Sequence, residues 1–263
     1  MEDSKQQQQQ SLHHMAFKNP MMMMNNNMGG AIINTPVVMV NNLNEEKINC
    51  DCLFILCGVF GDVVRVKISY NRRDTAFVQM ANYRQACFVV HCLDRIQLFG
   101  KMIHVSLSRM TRVKLPKDSP TSNSKFPDAK SLTKDYTNTK MHRFGGKSSH
   151  LAANKGGHND DETTINLTSQ TTSSNGLTSL KYNPVSIGKP SQILHISNLP
   201  ERCTKEEVFN LLGGEGFVIA VEIIPKPQCQ AFVKCPSVDI ACQVLMLHHG
   251  TEFHSREIAL HLH

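Results

Sequence analysis

Tryptophan is absent from this 263-residue chain, and aromatic residues make up only 6% of it. A large aromatic-lined pocket for a small molecule is therefore not expected. No long apolar run exists either. The longest window, Leu53 to Phe60 with Cys52 before it, falls far short of the roughly 20 residues a membrane-spanning helix needs, so membrane insertion is excluded. Charged residues are sparse at 19%, which argues against a chain unfolded by its own charge. No Cys-x-x-Cys pair occurs. Cys50, Cys52 and Cys57 turn in different directions on a helix, so no metal is expected. His13–His14 and His248–His249 read as surface pairs. Gly213-Gly-Glu-Gly216 follows a helix instead of a strand, so it is a loop and no dinucleotide cradle. No nucleophile–base constellation can be assembled, and neither an enzyme nor a cofactor is expected. Residues 1–20 are polar, with a Gln6–Gln10 run, and do not resemble a secretory signal. The Asn166-Leu-Thr168 sequon therefore carries no weight. The nine cysteines sit singly in apolar stretches, which suits reduced, buried thiols of a cytosolic or nuclear protein.

What is present divides the chain into four parts. Residues 1–35 carry polyglutamine, polymethionine and polyasparagine runs, too poor in buriable surface to offset ordering entropy, and are expected to be disordered. Residues 36–116 turn globular. Val38 and Val40 alternate as a strand. Asn44 to Phe60 carries a helical stripe through Leu53, Leu56, Cys57 and Phe60, closed by Gly61 in the cap position. Val64, Val66 and Ile68 form a strand, Thr75 to Met80 another, Tyr83 to Leu93 a helix, and Ile103, Val105 and Leu107 a last strand after Gly100. Residues 117–190 revert to Ser, Thr, Asn, Gly and Lys and read as a largely disordered linker. In 191–263 the same order recurs, with Thr204 and Glu207 as a capping box. The fold class is α+β: two ferredoxin-like β-α-β-β-α-β sandwiches joined by a long linker.

That order hosts many activities, so the strand sequences matter more. The first copy reads Val-Val-Met-Val-Asn-Asn-Leu at 37–43 and Arg-Asp-Thr-Ala-Phe-Val-Gln-Met at 73–80. The second reads Ile-Leu-His-Ile-Ser-Asn-Leu at 193–199 and Gln-Cys-Gln-Ala-Phe-Val-Lys-Cys at 228–235. These resemble the hexamer and octamer of the RNA-recognition motif. Alternate residues of the two strands face an open sheet surface, where bases stack on aromatic rings at about 1–3 kcal/mol each. Phe77 and Phe232 face outward. Met39 and Thr75, and His195 and Gln230, replace the other stacking positions, so both faces are depleted.

The segments 53–68 and 100–108, the Phe-Val-Gln-Met of 77–80, and the linker pieces Leu132-Thr-Lys-Asp-Tyr136 and His142-Arg-Phe144 resemble the third domain of polypyrimidine tract-binding proteins. Ile193 to Pro200 falls where that family's fourth domain begins. The heterogeneous nuclear ribonucleoprotein L family is a poorer match. The resemblance implies binding of single-stranded, U/C-rich RNA, regulation of pre-mRNA splicing or processing alongside proteins of that machinery, and nuclear residence with shuttling to the cytoplasm. It also implies an extra strand after the last one, in the region of Arg109, Arg112 and Lys114. The competing class is a protein-interaction module whose depleted sheets bind peptides.

Charge separates the two copies. Residues 36–116 hold 11 Lys+Arg against 6 Asp+Glu, a net of +5, and residues 191–263 hold 5 against 8, a net of −3. Phosphate attraction dominates non-specific affinity, so the first copy is the expected RNA binder. Asn41, Arg65, Lys67, His104 and Ser106 alternate onto the face of Met39 and Phe77. In the second copy, His195, Phe232 and Lys234 are the candidates. Three helices carry more apolar surface than one sheet can cover: Ile55 on the first, Phe88 and Cys92 on the second, and Val238, Cys242 and Met246 on the last. These are expected to pack the domains back to back, as the family resemblance also implies.

Overall fold

A computed structural model describes residues 34–115, 131–139, 141–143, 188–225 and 228–262. The leader through Ile33, Phe144 and most of the expected linker lie outside the described residues.

The first sandwich is β1 (Val37–Asn41), α1 (Cys50–Cys57), β2 (Val63–Ile68), β3 (Ala76–Met80), α2 (Tyr83–Leu93), a small hairpin of β4 (Gln97–Leu98) and β5 (Lys101–Met102), and β6 (His104–Leu107). Thr133–Asp135 adds β7. Its sheet runs β6-β1-β3-β2-β7. The second has β8 (Ile193–Ser197), α3 (Lys205–Leu211), β9 (Ala220–Ile224), β10 (Gln230–Lys234), α4 (Val238–His248), the hairpin β11 (Glu252–Phe253) and β12 (Arg256–Glu257), and β13 (Ala259–Leu262). Its sheet runs β13-β8-β10-β9. Val38, Val40, Val66, Ala76 and Val78 point from the first sheet into its core, as Leu194, Ile196, Ala231 and Val233 do from the second.

Two expectations are corrected. The first helix ends at Gly58, in an ordinary right-handed conformation, instead of at Gly61. A side chain at Gly61 would collide with Gln85, whose Oε1 accepts the Asp62 N–H at 3.1 Å. The glycine is there for close approach. The extra strand is also not the 109–114 segment. It is Thr133–Asp135, from within the expected linker, paired antiparallel to the outer edge of β2.

The repeated Asn-Leu has a local cause. Asn42 and Asn198 both adopt left-handed backbone, with φ of 62° and 64°, which asparagine tolerates better than most residues. Each amide donates at 2.9 Å to the hairpin opposite, to the carbonyls of Met102 and Glu257 respectively. The leucines that follow, Leu43 and Leu199, are buried.

α1 is buried nearly all round, Asp51 being its exposed residue. One side meets the sheet, and α4 packs on another. On a third side the linker lays Tyr136 flat on Phe54, with ring centroids 4.1 Å apart, and sets His142 edge-on at 5.8 Å. Asp51 ties this strap down by accepting from Lys134 Nζ at 2.7 Å and Tyr136 Oη at 2.8 Å. Ile55, Cys242 and Met246 are buried in this region and Val238 packs against the core. Phe88 meets Phe60 edge-on at 5.9 Å. Cys92 is buried, with Lys189 near enough to act on its thiol. A polar clasp joins the sandwiches as well: both carboxylate oxygens of Asp239, in the first turn of α4, accept the turn N–H groups of Phe99 and Gly100, at 2.7 and 2.8 Å. These two residues have φ of 50° and 75°, the left-handed pair that a two-residue hairpin turn requires. Gly100 meets that requirement without strain.

Candidate nucleic-acid interface

Residues directly opposite each other on neighbouring strands share a sheet face. The registers Ser106↔Met39, Met39↔Phe77, Phe77↔Lys67 and Lys67↔Thr133 therefore draw one continuous row over the open face of the first sheet. Met39, Phe77 and Lys67 are half-buried and Ser106 is exposed. At the centre, an aromatic ring and a polarizable thioether lie side by side. Hydroxyls stand at both ends, with an ammonium next to the ring.

A second row contains His104 opposite Asn41, and Thr75 Oγ1 lies 3.2 Å from Asn41 Oδ1. Thr75 is buried at this site. His104 is exposed. The third row is closed to ligand. Arg65 lies on the open face, but its Nε donates to Asp135 at 2.9 Å, and its side chain is only 13% exposed. Its charge is met by the strand beside it. Burial works against ionisation of Asp135, but bonds from Thr137 and Arg65 outweigh it and hold the carboxyl below the usual range. Gln79 is capped by the chain leaving β6, its Oε1 accepting the Val113 N–H at 2.9 Å. That crossing places Arg109, Arg112 and Lys114, all exposed, beside the open face. Four cations thus flank the Met39–Phe77 pair, while Arg65 serves the sheet.

The second open face is built differently. The register His261↔His195, His195↔Phe232 and Phe232↔Glu222 crosses all four strands. His195 lies 5.1 Å from the Phe232 ring centre and 6.0 Å from that of His261, and His195 Nε2 is 2.8 Å from Gln230 Oε1. Lys234 is exposed further along, opposite Ile193. Among the described residues no group of three or more His, Cys, Asp or Glu side chains is placed to hold a metal, and no helix is long and apolar enough to cross a membrane.

Sequence reasoning did not single out Thr133, Asp135, Gln79, His261 or Arg143. Thr133 and Asp135 become neighbours of Lys67 and Arg65 only through a pairing across some 65 residues of chain. His261 was legible in principle, because it alternates onto the open face from the last strand.

Two family models agree with this architecture. The family model for the RNA recognition motif (also RRM, RBD or RNP domain) matches residues 10–139, and a second RNA recognition motif model matches residues 194–259. Polypyrimidine tract-binding protein homolog 3 of Arabidopsis thaliana is 28% identical over 215 residues. The match covers 81% of this chain and 39% of that protein, so the chain spans about two fifths of the length of this relative. Among solved structures, a Sxl-lethal protein/RNA complex aligns at TM-score 0.27 and 14% identity, covering 87% of this chain and 99% of that one. The first two RRM domains of a yeast poly(U) binding protein align at TM-score 0.26 and 12% identity, covering 86% and 98%.

Proposed function

For a chain that belongs to the RNA recognition motif family, binds RNA as that family does, and resembles the polypyrimidine tract-binding proteins, we propose that the ligand is pyrimidine-rich single-stranded RNA and that the role is regulation of pre-mRNA splicing or processing in the nucleus. The observation that carries the reading is the Ser106–Met39–Phe77–Lys67–Thr133 row. One ring and one thioether offer a narrow stacking surface. Hydroxyl groups at its ends and the ammonium beside the ring suit the carbonyl oxygens of uracil and the O2 and N3 acceptors of cytosine better than a wide apolar platform would. Lys67, Arg109, Arg112 and Lys114 supply phosphate attraction on a domain of net +5. The name of the Arabidopsis relative, a polypyrimidine tract-binding protein homolog, supports the same base preference. The protein acts by binding, without catalysis.

Titration of the intact chain with polyU and polyA over a salt series tests the reading. Tighter polyU binding, falling steeply with salt, is expected. Equal affinity for the two polymers would refute pyrimidine preference. A salt-independent interaction that polyU does not compete would favour peptide recognition. Fluorescence microscopy of the tagged protein tests nuclear residence and shuttling.

A further inference from the structure

We propose that Cys203 and Cys229 form a redox-modification site in the second domain, a thiol pair that a low-molecular-weight disulfide oxidises to a bond fastening the start of α3 to β10. The inference is independent of which ligand the sheets bind.

The two sulfurs lie 3.5 Å apart and share a hydrogen bond, although 26 positions separate them in the chain. A disulfide bond measures about 2.0 Å, so side-chain rotation has to supply a closure of about 1.5 Å. The backbone on both sides is already held. Cys203 ends the turn after β8, its N–H donating to the Pro200 carbonyl at 3.3 Å. The next residue, Thr204, is locked at the start of α3 by its reciprocal bonds with Glu207. Cys229 directly precedes β10, and its carbonyl accepts the Leu199 N–H at 3.3 Å. Two reactants fixed in contact gain the high effective concentration that favours reaction with each other.

Access is asymmetric. Cys203 is half-buried and Cys229 is buried, so the entry step falls to Cys203. Its thiol loses a proton to water, and the thiolate attacks one sulfur of the small disulfide, expelling the other as a thiolate. Cys229 then gives up its proton and attacks Cys203 Sγ, expelling the second small thiolate. The protein loses two electrons and two protons, and the small disulfide becomes two thiols. Burial, the Cys229 thiol and Glu207 push the Cys203 thiol up to about 12. Thiolate is therefore scarce near neutrality, and the exchange is slow there and quickens as pH rises.

The other cysteines lack this combination. Cys50 and Cys52 point to separate carbonyls, of Ser131 and Lys47, each at 3.8 Å. Cys57, Cys92, Cys235 and Cys242 are buried. Cys87 is half-buried, but its thiol bonds to Tyr83. Closing the bond between 203 and 229 encloses α3 and β9 in one covalent loop, which removes freedom from the unfolded second domain.

The test treats the full chain with oxidised glutathione at about pH 8, then alkylates it, digests it without reduction and maps the peptides by mass spectrometry. The expected product is a linked pair of peptides carrying Cys203 and Cys229, separated by dithiothreitol. Second-domain resonances are expected to melt about 5 °C or more higher after oxidation. Cys203→Ser is expected to abolish both the linked pair and the rise. Cys229→Ala keeps the entry step and is expected to stop at a glutathione adduct on Cys203. The peptide map of the parent needs no variant, so poor folding of either substitution leaves the test intact. A lasting glutathione adduct on Cys203 in the parent, or free thiols at both positions after other cysteines have reacted, would overturn the proposal. A linked pair with a lowered melting temperature would overturn the fastening role.

Discussion

Asp94 and His249 hold the same place in the two repeats. Asp94 Oδ1 accepts the Val105 N–H at 2.9 Å, and His249 Nδ1 accepts the Leu260 N–H at 3.1 Å. Each follows the second helix of its sandwich and caps the edge strand that closes the sheet. The flanking bonds repeat too: Arg95 N–H and Gly250 N–H donate to the carbonyls of Ile103 and Ile258, at 3.0 and 2.9 Å. One geometric need is met by a carboxylate in the basic domain and by a neutral imidazole in the acidic one.

That exchange makes the second domain sensitive to acid at this position. Burial, with Arg143 and His261 adding to it, holds His249 down to about 3, whereas an unfolded histidine titrates near 6.5. Below that value the unfolded chain takes up a proton that the folded chain refuses, so stability falls as pH drops from about 6.5 toward about 3. The slope is at most about 1.4 kcal/mol per pH unit for one histidine. His261 acts with the same sign. A His249→Asp variant, copying the first domain, is expected to fold and to lose part of this dependence. Thermal melts between about pH 6.5 and 4, followed at second-domain resonances, decide it.

Phe77→Ala is expected to weaken uridine binding by about 1–3 kcal/mol with the domain still folded, because the ring is half-exposed and its neighbours Ala76 and Val78 hold the core. Calorimetry on the intact chain measures this. Unchanged affinity would remove the row from the site.

Asp135→Asn should free Arg65 for phosphate. The expected result is tighter RNA binding and a salt slope steeper by about one, with β7 still docked by its backbone pairing. Acid does not mimic the substitution near neutrality. The Asp135 carboxyl lies below its usual range, so the ion pair persists above about pH 4 and is lost only as pH falls further, through the folded value.

Asp239→Ala leaves the Phe99 and Gly100 N–H groups without their acceptor. A cost of about 1–3 kcal/mol in docking of the two domains is expected, with each domain intact. Faster, independent tumbling of the domains in NMR relaxation is the signature. Relaxation equal to that of the parent would mean that α1 and α4 hold the domains together without the clasp.

Much of this protein was legible in the sequence. Strand and helix periods, Thr204 and Glu207 as a cap, and the duplicated Asn-Leu and Ala-Phe-Val segments follow from local backbone preferences and from burial of one face, both encoded by neighbouring residues. The outward direction of Met39, Phe77, His195 and Phe232 follows from alternation alone. Tertiary structure decided what depends on pairing between distant segments. Alternation places Arg65 on the open face, but only β7 supplies the carboxylate that neutralises it. Apolar excess on α1 announces a cover, but the fold alone divides that cover between α4 and the Tyr136 strap. Asp239 reads as a helix-start acid until the Phe99–Gly100 turn arrives with two unpaired N–H groups. A linker arginine at position 143 has no periodic signal at all, and the edge carbonyl it donates to is more than a hundred residues away. Local free energies are written along the chain, whereas the partners of an edge, a turn or a buried charge are settled only when the sheets close.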